Sequence, residues 1–171
     1  MLLLSLERER INFKEKLKFY LLTILFIILQ SSVFVKYISF LDFTPDLLLI
    51  LLIIYGINNP LVEGLKFAVF IGIFKDLLNS HYILLDLPLY ISYILIISFA
   101  KSRITSSNQF IRTFLAFFIF SVDFSLKSLI FYIKTKQFEL DKYTFLYVIL
   151  NTSIFFILDK VLSKKKEINE F

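Results

Sequence analysis

The chain has 171 residues, of which 58% are hydrophobic, with three glycines, three prolines and no cysteine. A water-soluble domain of this length cannot bury so much apolar surface, and the continuous apolar runs favour membrane-spanning helices. On so apolar a chain, the net charge of +5 indicates orientation by cytoplasmic lysines and attraction to anionic lipid rather than binding to nucleic acid. The absence of cysteine excludes disulfides and thiolate metal ligands.

Six apolar segments approach the ~20 residues that a helix needs to cross a bilayer. The basic stretch at residues 8–18 leads into an apolar run that is too long for a signal-peptide core and has no small-residue cleavage site, so we expect a retained first span. The loops are short, which leaves little room for an extramembrane active site. We predict a single membrane domain over residues 1–171 with spans at residues 17–37, 45–58, 61–79, 82–100, 110–133 and 143–162.

The second segment has clear boundaries but is short. Thr44, Pro45 and Asp46 predict a helix start, with a hydroxyl cap, a proline at the first helical position and an acid in the first turn. The Asn-Asn-Pro sequence at 58–60 predicts its end. Such a helix is about 21 Å long against a hydrocarbon core of ~30 Å. It crosses only if residues 38–43 also lie at membrane depth, and otherwise it is re-entrant.

Basic residues decide between these two topologies, because cytoplasmic loops are enriched in lysine and arginine. With six crossings and both termini in the cytoplasm, twelve basic residues flank the spans inside and four outside. A second segment that fails to cross gives eight on each side. We therefore predict an all-α membrane protein, a bundle of six transmembrane helices with cytoplasmic N- and C-termini.

Charged residues within the spans are few. Asp123 and Lys127 lie near the middle of the fifth segment at i, i+4, the spacing of an intramembrane ion pair. A proton or ion path is the functional alternative, but no chain of acids continues it, so we expect a neutralised pair that fixes helix packing. A contact between Asp76 and Lys127 is a further hypothesis.

The third segment carries small or polar side chains at every fourth position. Such a ridge lets another helix approach closely, which is how helices associate when lipid competes for apolar contacts. The pattern predicts a helix–helix interface, either within the chain or with a partner, with an aspartate as polar anchor. The ridge consists of Gly64, Ala68, Gly72, Asp76 and Ser80.

No catalytic, cofactor-binding or metal site is predicted, and we expect a protein that is not an enzyme. His81 is alone at an outer turn, without a second ligand at metal spacing. The glycosylation-like sequence at 151–153 lies inside the sixth segment, where it cannot serve as an acceptor.

The stretch from residue 44 to 103 resembles the MreD family of the bacterial rod-shape and cell-wall elongation machinery. Pro45 and Asp46 open an apolar segment, and after a polar break come Gly64 and Gly72 with Asp76 four residues beyond. The resemblance implies a non-enzymatic scaffold, without cofactors, in the cytoplasmic membrane of a bacterium. It implies binding to the single-span MreC protein and, through it, to the elongation glycosyltransferase and transpeptidase and the MreB filament.

The chain departs from the family at the turn after the third segment. The family commonly has a glycine about eight residues after the aspartate, where this chain has Leu84 with Asp86 nearby. We therefore expect an outer turn of different shape.

Proteins similar to MreD also look like the substrate-binding components of energy-coupling-factor vitamin transporters, which have six helices and a comparable size. A membrane component that binds a small molecule is therefore the alternative function. The small-residue docking ridge of those components is missing, because residues 17–37 contain neither alanine nor glycine. Asp86 and the outer turn are candidates to line a small pocket.

Overall fold

The computed structural model describes residues 2–30, 44–78, 85–103, 108–136 and 144–167. Within these ranges the regular structure is all-helical and consists of six helices. They are α1 (Leu2–Leu29), α2 (Leu47–Asn58), α3 (Leu61–Leu78), α4 (Asp86–Arg103), α5 (Gln109–Thr135) and α6 (Thr144–Glu167).

The short helix α2 is the centre of the bundle. Its residues from Leu47 to Ile57 are all buried, and it contacts each of the other five helices. At 12 residues, α2 is about 18 Å long. Because protein surrounds it on all sides, its length does not have to match the thickness of a bilayer. Residues 38–43, on which the predicted crossing depends, lie outside the described ranges.

The predicted start of α2 is wrong by two residues. Asp46, not Thr44, is the N-cap, since the Leu49 N–H donates to Asp46 Oδ1 over 3.1 Å. A carboxylate is a strong N-cap and interacts favourably with the positive end of the helix dipole. Pro45 therefore lies before the helix. The predicted end is confirmed, because the extended Asn59 donates its backbone N–H to the Tyr55 carbonyl and stops the helix.

Aromatic side chains join α1 to the centre of the bundle. The Tyr55 and Phe67 rings are stacked with their centroids 4.1 Å apart, and Phe19 meets Tyr55 edge-on at 5.2 Å. Tyr20 contacts Phe67 in the same way at 5.4 Å. These pairs bury large apolar surfaces between α1, α2 and α3 and fix their relative orientation.

Large apolar side chains are exposed on every helix except α2. Among the most exposed are Phe110 at 77%, Leu77 at 74% and Phe99 at 67%. Two described segments, Gln109–Ile130 and Phe145–Leu162, are long and apolar enough to cross a membrane. An outer surface of this kind on several helices indicates contact with lipid or protein rather than with water.

Candidate functional site

Charged side chains from four helices meet at one end of the bundle, where α2 and α4 begin. Asp46 precedes α2, Lys75 lies in the last turn of α3, Asp86 begins α4, and Asp123 and Lys127 lie on α5. The three carboxylate side chains are at most 6% exposed. We refer to these five residues as the charged cluster.

Lys127 contacts all three carboxylates of the charged cluster. Its Nζ lies 2.9 Å from Asp123 Oδ1, 3.4 Å from Asp86 Oδ1 and 3.7 Å from Asp46 Oδ2. Lys75 Nζ contacts the other oxygen of Asp46 at 3.1 Å. Buried carboxylates are tolerated only when they are paired, so the two ammonium groups allow three acids to lie together inside the bundle.

Hydrogen bonds attach the charged cluster to the surrounding helices. The Asp46 backbone N–H donates to Asn151 Oδ1 of α6 over 2.8 Å, and the Tyr93 hydroxyl of α4 donates to Asp123 Oδ1 over 3.1 Å. Gln30, just after α1, donates from Nε2 to the Pro45 carbonyl over 2.8 Å. Together with the ion pairs, these bonds connect all six helices at this end of the bundle.

A cavity of about 260 Å³ lies against the charged cluster. Its wall combines charged and polar side chains with an apolar part, which is the composition of a small-ligand site. The lining residues are Gln30, Thr44, Pro45, Asp46, Lys75, Leu85, Asp86, Leu89, Lys127, Ile130 and Tyr147.

The small-residue ridge of α3 lies against α4 of the same chain. A Cβ added at Gly72 would stand 2.7 Å from the Leu87 Cα, and one added at Gly64 would stand 3.1 Å from Ile94 Cγ2. Ala68 is fully buried. The ridge therefore serves as an intramolecular packing surface that lets α3 and α4 approach closely.

Gly56 of α2 extends this close packing and was not part of the predicted ridge. A Cβ added there would stand 2.7 Å from Ile94 Cδ1, and Gly56 Cα is itself 3.9 Å from a Cβ built on Gly64. The signal was available in the sequence, because the three glycines follow one another at intervals of eight residues. It was missed because the predicted break between the two helices falls between Gly56 and Gly64.

Asp76, on the same ridge, caps the N-terminus of α4. Its carboxylate accepts the backbone N–H groups of Asp86 (2.8 Å) and Leu87 (3.1 Å). A carboxylate at a helix N-terminus satisfies N–H groups that have no partner within the helix and lies at the positive end of the dipole. The hypothesis of an Asp76–Lys127 contact is wrong for the described side chains, because Lys127 pairs with the other three aspartates instead. Ser80 and His81 lie outside the described residues.

A second group of polar side chains lies at the opposite end of the bundle. Arg112 of α5 binds Asp159 of α6 through two nitrogens, with Nε donating to Oδ2 over 2.9 Å. Both terminal guanidinium nitrogens also lie 3.3 Å from Asn58 Oδ1. Lys101 Nζ donates to the carbonyls of Gly56 and Asn59 at the end of α2.

This second group was not predicted, because Arg112 and Lys101 are among the twelve basic residues that the charge count places on the cytoplasmic side. Asp159 lies 47 residues from Arg112, so no local spacing relates them. The signal available was an acid within an otherwise apolar segment, which needs a partner when it is buried.

The arrangement supports packing between helices. The charged side chains of the cluster are paired with one another, and in the described ranges no three His, Cys, Asp or Glu side chains are placed to hold a metal ion. The cation among the three carboxylates is the Lys127 ammonium.

Comparison with protein families gives a match over most of the chain. The family model described as "rod shape-determining protein MreD" matches residues 13–165, which is nearly the whole chain. No curated protein and no solved structure matches the chain significantly.

Proposed function

The chain belongs to the MreD family of rod shape-determining proteins, and from this premise we propose that it acts as a non-enzymatic membrane scaffold in cell-wall elongation. The family match carries the proposal, since it reaches into every helix of the bundle. The family consists of bacterial membrane proteins with a structural role in cell shape and is not a known enzyme family. The paired charges and the close packing of α3 on α4 fit a rigid scaffold.

Depletion of the protein in its source bacterium, followed by renewed expression, tests this function. Depletion should convert rods into spheres, and expression of the chain should restore rods, because a scaffold of the shape machinery is required for elongation. Measurement of cell length-to-width ratios gives the readout. Rods of normal ratio in fully depleted cells would contradict the proposal.

For the topology, we propose one polytopic domain over residues 1–171 with six crossings of the cytoplasmic membrane and both termini inside. The twelve-to-four distribution of basic residues supports this orientation. The exposed apolar side chains on α1 and α3 to α6 supply the lipid-facing surface. Basic residues at the cytoplasmic side would attract anionic lipid headgroups.

For the partners, we propose a single-span MreC-like protein and, through it, the elongation glycosyltransferase and transpeptidase and an MreB-like filament. The ridge residues contribute by holding α3 against α4, with Asp76 as polar anchor; Pro45 and Asp46 contribute by fixing the start of α2. Because Gly64 and Gly72 are already covered by α4 and Ala68 is buried, a partner helix would contact another face of the bundle.

One observation favours a second function, that of a membrane component that binds a small molecule. The cavity beside the charged cluster combines four charged side chains with apolar walls, and Asp86 is part of its lining. Small-molecule sites in helix bundles are built in this way from side chains on facing helices. This function would coexist with the scaffold role, with Pro45 and Asp46 contributing to both.

A further inference from the structure

We propose that α5 and α6 move as a hairpin away from α4, so that the contact between α4 and α5 opens at the end that holds the charged cluster. This contact, the α4–α5 seam, runs from Asp86 and Lys127 at that end to Ala100 and Leu115 at the other. The inference goes beyond the scaffold role and the small-molecule function and depends on neither.

Packing in the α4–α5 seam is looser than packing between α3 and α4. Gly64 and Gly72 bring α3 into close contact with α4, whereas α4 meets α5 at few positions. A cavity lies at each end of the seam, the one of about 260 Å³ beside the charged cluster and a second of about 170 Å³ at the other end. Ala100 of α4 and Leu115 and Phe118 of α5 face this second cavity. Because atoms that do not touch lose their dispersion attraction, helices with voids between them separate more easily than closely packed ones.

Polar contacts hold the seam closed. The Tyr93 hydroxyl of α4 donates to Asp123 Oδ1 of α5 over 3.1 Å. Closer to the cavity of the charged cluster, Asp86 Oδ1 of α4 lies 3.4 Å from Lys127 Nζ of α5. Hydrogen bonds weaken steeply with distance and angle, so a small displacement is enough to break these contacts. The seam therefore opens without the loss of a large packed surface.

α5 and α6 are held to each other, so they move together. Arg112 of α5 binds Asp159 of α6 through two nitrogens. Nearer the charged cluster, the rings of Phe124 and Tyr147 lie with their centroids 5.9 Å apart. A hydrogen bond from the start of α2 to Asn151 and buried apolar contacts join this hairpin to α2. Because apolar contacts are non-directional, the hairpin can turn on α2 while it separates from α4.

The closed seam also buries polar atoms that lack partners. Tyr90 lies on the same face of α4 as Asp86 and Tyr93, four residues after the one and three before the other. Its hydroxyl is buried without a hydrogen-bond partner in the described part of the chain, and so is Asp123 Oδ2 on α5. A buried polar atom without a partner costs free energy. Separation of the helices at this end admits water to both atoms, which stabilises the open seam relative to the closed one.

Double electron–electron resonance of the full chain in nanodiscs measures the seam directly. Nitroxide labels are attached to cysteines that replace Ser92 on α4 and Leu129 on α5, since the chain has no cysteine of its own. A control pair combines Ser92 with Ile73 on α3. Leu129 is 51% exposed and Ile73 is 45% exposed, so labels at these positions disturb little packing. We expect a broader distance distribution for the pair across the seam than for the control pair.

Two replacements of tyrosine by phenylalanine, one turn apart on α4, have opposite expected effects. Tyr93→Phe removes the hydrogen bond to Asp123 and should lengthen the mean Ser92–Leu129 distance by about 2 Å or more, the size of helix shifts in other conformational changes. Tyr90→Phe removes the buried hydroxyl that lacks a partner among the described residues and should narrow the distribution. Lys127→Met, which removes the contact to Asp86, should lengthen the same distance as Tyr93→Phe does.

The control pair separates opening of the seam from general damage, because the Ser92–Ile73 distance should stay the same in all three variants. An unchanged Ser92–Leu129 distance in both Tyr93→Phe and Lys127→Met would overturn the proposal. Equal lengthening of the two pairs would also contradict it, since the whole bundle and not the seam would then have loosened. A longer Ser92–Leu129 distance in Tyr90→Phe would refute the contribution of the buried hydroxyl. None of these results bears on rod shape, which the depletion experiment measures separately.

Discussion

Gly72 on α3 lies so close to Leu87 on α4 that a Cβ added at Gly72 would stand 2.7 Å from the Leu87 Cα atom. The neighbouring atom belongs to the backbone, so it cannot move aside by a change of rotamer. At Gly64, by contrast, the nearest atom is Cγ2 of Ile94, a side-chain atom 3.1 Å away. The two glycines of one ridge thus tolerate bulk to different extents.

We predict that Gly72→Ala destabilises the bundle by about 1–3 kcal/mol, as overpacking does in other cores. Gly64→Ala should be milder, because the Ile94 side chain can shift whereas the Leu87 backbone cannot. Thermal unfolding in detergent measures the difference, with Val69→Leu on the exposed face of α3 as control. Equal midpoints for the two alanine variants would show that α3 and α4 are not packed in this way.

Removal of the Lys127 ammonium should expose the mutual repulsion of three carboxylates. Lys127→Met is expected to lower the free energy of unfolding by about 1–3 kcal/mol, a range below that of a fully buried pair because the lysine side chain is 38% exposed. Adding Asp123→Asn should recover part of the loss, since it removes one of the carboxylates left without a cation.

A double-mutant cycle over Lys127 and Asp123 provides this measurement. Lys66→Met is the control, because the Lys66 side chain is 66% exposed and pairs with Glu63 of its own helix. Strict additivity of the two single substitutions would contradict the ion pair as the source of the effect.

Lysine should not be able to replace arginine in the Arg112–Asp159 pair. Arg112 contacts Asp159 through two nitrogens and Asn58 as well, and a lysine ammonium cannot reproduce this planar fork. We expect Arg112→Met to destabilise the protein by about 3 kcal/mol and Arg112→Lys to recover less than half of that. Chemical unfolding in detergent measures both, with the exposed Lys160→Met as control. Full recovery of stability by lysine would mean that the positive charge alone, and not the planar geometry of arginine, stabilises this end of the bundle.

Single cysteines test the six-crossing topology, since the chain has no cysteine of its own. Cys at position 60, between α2 and α3, should react with a membrane-impermeant maleimide only after permeabilisation. Cys at position 136, after α5, should react in intact cells. Both substituted residues, Pro60 and Lys136, are exposed. The reversed labelling pattern would indicate that the second segment does not cross.

Local sequence signals predicted much of the helical framework. The Asn-Asn-Pro sequence ends α2 at Asn58 because an amide-rich break followed by proline cannot continue a helix. The start was misplaced because Thr44 and Asp46 are both good caps, and only the three-dimensional path of the chain decides that Asp46 is used.

Contacts between residues far apart in the sequence could not be predicted from residue spacing. A four-residue repeat places Gly64 and Gly72 on one face of a helix, but it contains no information about which helix covers that face. In the same way, Asp123 and Lys127 share a helix face by spacing, whereas Asp46 and Asp86 join them only through the packing of three helices. The cavity follows from that packing and leaves no pattern in the sequence.

Native mass spectrometry of the tagged chain, purified from its own membranes, tests the scaffold proposal most directly. We expect a mass corresponding to a complex with a single-span MreC-like protein. This mass should be reduced in Gly72→Leu, which separates α3 from α4, and retained in Val69→Leu. Detection of the chain alone, in every preparation whose starting membranes contain the MreC-like protein, would contradict a scaffold role for this bundle with that partner.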